Sequence, residues 1–182
     1  MLFAHDTETA LAITAALVNT DDPDDEGLPD IAALNAFLDA HLLSGARART
    51  RAELDAVHEL RPRLRAIWDV ADDPATAVTL VNDLLTDTAA APWLTDHDDW
   101  GWHLHLTRPD APVVHRLGAE AAMGFIDLVR TDELTRLQIC AADDCTSVLV
   151  DLSRNRSRLY CDTGNCGNRQ HVAAYRARNR GK

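Results

Sequence analysis

The chain has 182 residues, is 46 % apolar and 26 % charged, and carries a formal net charge of −11. At this length about 70 % of the unfolded surface is buried on folding, so a core forms without disulfide staples. No run approaches the ~18 apolar residues of a membrane span. The first ten residues lack a basic region and hold Asp6 and Glu8, so no secretory leader is expected and the expected compartment is the cytoplasm.

Apolar periodicity predicts a mainly α body. Ala10 to Val18 is apolar at helical spacing and predicts a first helix. The acidic run Asp21 to Glu26 follows and is expected to be a solvated loop, because it lacks the Asp-x-Asp-x-Asp-Gly spacing that wraps calcium. Pro29-Asp30 opens a second helix through Leu34, Phe37, Leu38 and Leu42, ended by Ser44-Gly45. Thr50-x-x-Glu53 has capping-box form and opens a third helix through Leu54, Val57, Leu60, Leu64 and Ile67, with Pro62 expected to kink it. Asp73-Pro74 caps and starts a fourth helix through Val81 and Leu84.

Trp100 to Thr107 alternates, with apolar residues at the even positions, as in a half-buried strand. His103 and His105 then share the wetter face. Two such histidines can chelate a metal, with His97 or His115 as a third ligand. No carboxylate or cysteine is placed nearby to complete a site, so surface histidines are the expectation. Ala111 to Val129 predicts a fifth helix, and near Leu137 the composition shifts.

The shift is one of charge. Residues 1–138 hold ten arginines and 25 acidic groups, a net of −15, whereas residues 139–182 hold eight basic and four acidic groups, a net of +4. An acidic protein repels phosphate, but an Arg-rich end has its own partner, and nucleic acid is the usual one. The opposing view is that the basic end docks on the acidic body.

All four cysteines lie in this end, as Cys140-x4-Cys145-x15-Cys161-x4-Cys166. Clustered pairs in a chain without a leader point to a metal rather than to disulfides. Four thiolates close a tetrahedral zinc shell and leave no position for water, so one structural Zn2+ is expected and a catalytic one is not. The alternatives are an iron–sulfur cluster, a redox dithiol switch or free thiols. Ser147 to Leu152 and Arg158 to Tyr160 are the expected arms of a small hairpin. Cys166 is placed in the first turn of a terminal helix, where the helix dipole favours thiolate.

Two arginine sets flank the cysteines. Arg154, Arg156 and Arg158 point one way in an extended segment. On the terminal helix Arg169, Arg176 and Arg180 fall within about 40° of one another, a stripe that suits a row of phosphates.

Cys140-x4-Cys145, Val150-Asp151-x-Ser153-Arg154-Asn155-Arg156-Ser157-Arg158-x-Tyr160-Cys161, Cys166-Gly167-Asn168-Arg169 and Ala173-x-Tyr175-Arg176-x-Arg178 together resemble the CGNR-type zinc finger. That finger follows a helical ABATE domain in bacterial proteins described as stress-induced transcription regulators. Upstream, Leu17-Val18-Asn19-Thr20 resembles the family's Phe-Val-Asn-Thr run and Glu59-Leu60-Arg61 its Leu-Arg segment. Here Leu17 replaces an aromatic residue, Phe37 a tryptophan and His171 a lysine. The resemblance implies a helical domain over residues 1–136 and a zinc module of hairpin and helix over 137–182. It also implies zinc at the four cysteines, DNA binding by the module, and a ligand site in the helical domain. Asn19, Trp102 and His103 are the candidate ligand contacts, with helix capping as the plainer role for Asn19.

The leading expectation is a DNA-binding regulator whose helical domain senses a ligand or dimerises. A homodimer would add base contacts that one small module lacks. The alternative is a zinc-stabilised interaction module whose basic tail docks an acidic protein. No Ser/His/Asp set, phosphate loop or carboxylate pair stands in a readable motif, so an enzyme is not expected.

Overall fold

The computed structural model describes residues 3–22, 24–96 and 101–180, except the side chains of Ala174, Ala177 and Arg180. The element order is α1 (His5–Val18), α2 (Ile31–Ala40), α3 (Arg51–Asp69), α4 (Pro74–Asp87), β1 (Trp93–Asp96), β2 (Trp102–His105), α5 (Val113–Arg130), a 3-10 turn (Leu134–Arg136), β3 (Leu137–Ile139), β4 (Val148–Val150) and α6 (Cys166–Arg180). The fold is mainly α, with a four-cysteine module at the C-terminal end. Among the described residues no helix is long and apolar enough to cross a membrane.

Helices α2, α3 and α4 start where their capping side chains stand. Asp30 accepts from the Ala33 amide at 2.8 Å, and Thr50 accepts from the Glu53 amide at 3.2 Å. Glu53 reaches back to the amides of Ala48 and Arg49, so orphan donors ahead of α3 are satisfied from the first turn. The helix continues through Pro62. Asp73 caps α4 with Pro74 in its first turn.

α5 is the central helix and packs on α1, α3 and α4. Its glycines make the close approaches. A Cβ on Gly124 would stand 2.9 Å from Leu11 Cγ, and one on Gly118 would stand 2.8 Å from Thr88 Cγ2. Phe125 and Trp68 meet edge to face at 5.3 Å in the middle of this core.

Two antiparallel hairpins complete the fold, β1 with β2 and β3 with β4. The β4 partner differs from expectation: it is Leu137–Ile139, not Arg158–Tyr160. Leu137 is buried in the helical core, whereas Leu159 is half-exposed and Tyr160 packs against the cysteine cluster instead. Residues 153–156 turn instead, with Arg156 at φ +50°. The buried Asp151 carboxylate holds this turn by accepting from the amides of Ser153 at 2.8 Å and Arg158 at 3.0 Å. Those arginines therefore do not share one face of an extended strand.

β4 is the wall between two cores. Val148 and Val150 belong to the helical core, while Leu149, on the other face, packs with Cys140, Cys161 and Cys166. Trp68 Nε1 donates to the Leu149 carbonyl at 2.9 Å, and Arg65 donates to the Thr146 carbonyl at 2.7 Å. The module is thus seated on the helical body through a β-strand both share.

Candidate metal centre and ligand cavity

The four cysteines converge. Cys140 and Cys145 flank the connection from β3 to β4, where the Cys140 amide donates to the Ser147 carbonyl at 2.8 Å. Cys166 opens α6. The four Sγ atoms all lie within 4.8 Å of one another, with Cys145 to Cys161 at 3.7 Å and Cys161 to Cys166 at 3.6 Å. A tetrahedron built on Zn–S bonds of ~2.3 Å has S–S edges of about 3.8 Å. The donor set and its spacing therefore fit one zinc ion with a closed shell.

Four thiolates around Zn2+ leave two negative charges, and the structure answers them. Arg169, in the first turn of α6, donates to Cys166 Sγ at 3.1 Å and pairs with Asp144 at 2.6 Å. The Arg169 contact draws the Cys166 thiol down, but burial and the neighbouring thiols outweigh it and push that thiol up to about 12. A metal must displace this proton to bind, which couples metal affinity to pH.

The arginines expected at DNA divide into two groups. Arg169 serves the cysteine centre, Arg158 pairs with Asp162, and Arg156 pairs with Glu133 at 2.6 Å. Arg154 and Arg176, with Arg178, are exposed and meet no acidic side chain among the described residues. The Arg180 side chain lies outside the described residues. Arg169 and Arg176 both line a shallow hollow on α6 with Asn165, Asn168 and Val172.

The helical body holds a cavity of about 550 Å³, bounded by α1, the α2 end, β1, β2 and α5. Of the candidate ligand contacts, His103 lines it and two do not. Trp102 is 72 % exposed on the outer face of the β1–β2 hairpin. Asn19 lies elsewhere: its Nδ2 donates to the Val148 carbonyl at 2.9 Å, and its Oδ1 accepts from the Val148 amide at 2.7 Å. Its amide is spent as a clamp on β4, the role a backbone mimic plays best.

The strand alternation holds at Leu104 and Leu106, which pack with Ala119 and Met123 of α5, and fails at Trp102, which is exposed. Trp93 and Thr95 on β1 sit across from His105 and His103 and share the cavity face. The histidines are half-buried there, while Trp102 and Leu94 face solvent. His103 Nε2 and His105 Nε2 are 3.2 Å apart, and His105 Nδ1 meets the Glu120 carboxylate from α5. Glu120 raises the His105 pKa against the opposing effect of burial. His115 does not line the cavity, and His97 lies outside the described residues.

The acidic loop also has a structural part. Glu26 forms a two-pronged pair with Arg61 at 2.6 and 2.7 Å, and Arg61 is buried in α3. Arg136, likewise buried, donates to the carbonyls of Asp151 and Ser153 and pairs with Glu133. Arg61 stands in the Leu60-Arg61 pair that resembles the family's Leu-Arg segment, whereas no sequence signal singles out Arg136.

A helical body carrying a four-thiolate zinc centre is the architecture of a two-part zinc-finger protein. Residues 136–179 match the CGNR zinc finger. Residues 11–132 match the ABATE family, described as "Putative stress-induced transcription regulator", and the chain belongs to that family. No curated protein matches the chain.

Proposed function

We propose that this protein is a DNA-binding transcription regulator whose zinc module contacts the phosphate backbone and whose helical cavity takes a regulatory ligand. The observation that carries the reading is that Arg154, Arg176 and Arg178, in the same module as the four-cysteine centre, are exposed and without acidic partners among the described residues. Arginine favours two-pronged phosphate contacts. The cavity lies within the range of ligand sites, roughly 300–1,000 Å³. α1 supports the coupling of the two parts: Thr9, Ile13, Thr14 and Leu17 line the cavity, and the same helix ends on Asn19 at β4. A ligand that shifts α1 therefore shifts the seat of the module.

The test is fluorescence anisotropy of a labelled duplex with zinc-loaded protein and with protein stripped by a chelator. Binding by the loaded form and its loss on stripping are expected. Equal binding by both forms would remove the metal module from the interface. The ion pairs of Arg156, Arg158 and Arg169 favour a second reading, in which the basic end grips acidic groups of a protein partner. Absence of DNA binding together with salt-sensitive capture of an acidic protein would select it.

A further inference from the structure

The cavity wall carries a pair of imidazoles that the DNA-binding reading does not use. β2 sets His103 and His105 two residues apart on one side of the strand, with their Nε2 atoms 3.2 Å apart. Each ring is also held at its other nitrogen. His103 Nδ1 lies 2.8 Å from the Gly101 carbonyl oxygen, and His105 Nδ1 meets the Glu120 carboxylate. A carbonyl and a carboxylate accept and do not donate, so both Nδ1 atoms carry hydrogen. A neutral ring with Nδ1–H has its lone pair on Nε2. Two neutral rings fixed this way bring two lone pairs together, so the 3.2 Å contact is made either by a proton on one Nε2 or by a metal ion between them.

A metal ion fits that position. At ~2.05 Å from each Nε2, the ion subtends an angle of about 100° across the gap, near the tetrahedral value. The outer contacts have the pattern of metal-ligating histidines, which donate their second N–H to a carboxylate or a backbone carbonyl. The two rings alone supply half of a tetrahedral shell. Asp6 and Thr9 on α1 line the same cavity and bring further oxygen atoms to it.

We infer that His103 and His105, oriented by the Gly101 carbonyl and Glu120, are the protein anchor of a second metal site, for a first-row divalent transition ion that imidazole favours. The remaining coordination positions face the cavity and take oxygen donors, from water or from an anionic ligand held there. This site is separate from the four-cysteine centre and does not depend on DNA binding.

The test is metal content by elemental analysis after equilibrium dialysis of the full chain against excess free zinc, at neutral to mildly alkaline pH. Two ions per chain are expected for the wild type. One ion per chain is expected for His103→Gln and for His105→Gln, each with its circular dichroism unchanged. Cobalt substitution assigns the sites. The cysteine centre shows thiolate-to-cobalt charge transfer in all three proteins, and the second equivalent adds ligand-field bands without charge transfer in the wild type only. His103→Gln keeps the Glu120 partner of His105, so it guards against loss of fold in the other variant. A wild type that holds one ion would overturn the inference and leave a shared proton between the rings. So would a second ion retained by both variants.

Discussion

Replacing Asn19 by alanine tests how the module is seated on the helical body. The side chain exchanges two hydrogen bonds with the backbone of Val148, at 2.7 and 2.9 Å, and Val148 is buried on β4. Truncation leaves a buried N–H and a buried C=O without this partner, and an orphaned group costs about 1–3 kcal/mol. Partial relaxation and entry of water reduce the sum, so a loss of about 2–4 kcal/mol is expected. For a chain of this size that corresponds to a fall in Tm of roughly 5–12 °C. Differential scanning fluorimetry of the zinc-loaded protein measures the shift. Hydrogen exchange at β4 localises it. Asn19→Asp keeps an acceptor for the Val148 amide but turns a carboxylate toward its carbonyl, so it should not restore full stability. A Tm for Asn19→Ala unchanged within about 1 °C would refute the clamp and the coupling drawn through it.

Chelation of the zinc should unfold the module while helices α1 to α5 persist. A small loss of helical circular dichroism with loss of amide protection over residues 137–180 would show this, and retained protection there would contradict it. Gly124→Ala places a methyl group against Leu11 Cγ at 2.9 Å, and a destabilisation of about 1–3 kcal/mol is expected in urea denaturation. An unchanged urea midpoint would contradict that contact. The Arg61 hydrogen bonds, against the opposing effect of burial, hold Glu26 down from 4.5 to about 2. Because the folded-state pKa is lowered, the Glu26 contribution to stability is present above about pH 4.5 and drains away as pH falls toward 2. Denaturation curves at several pH values should show Glu26→Gln to be less stable than the wild type at neutral pH, with the difference shrinking through that window. A difference independent of pH would refute the linkage.

The features readable in the sequence are those carried by local periodicity and spacing. α1 to α5 stand close to their expected positions because each carries apolar residues at helical spacing, and α2, α3 and α4 also have a capping side chain at their start. The four cysteines were readable because few chemistries use two pairs at that separation. Partners far apart in the chain were not readable. Asn19 meets Val148 at a separation of 129 residues, and Arg169 meets Asp144 at 25, so one is a clamp and the other serves the metal centre. β1 and β3 have only four and three residues and carry no alternation long enough to detect. On β2, Leu104 and Leu106 pack inward as the alternation implies, but the hairpin also closes over a cavity, so His103 lines an interior wall while Trp102 is left outside. Glu120, the partner of His105, comes from another helix.

The proposed grip of the zinc module's exposed arginines on nucleic acid is tested by the salt dependence of DNA affinity. Each phosphate contact contributes a slope of about −0.9 to log affinity against log salt. The zinc-loaded wild type should therefore bind with a steep slope. The Arg154→Ala, Arg176→Ala, Arg178→Ala triple variant should bind more weakly, with a slope flatter by about 2–3. Absence of binding by the wild type, or identical slopes for the two proteins, would contradict the account.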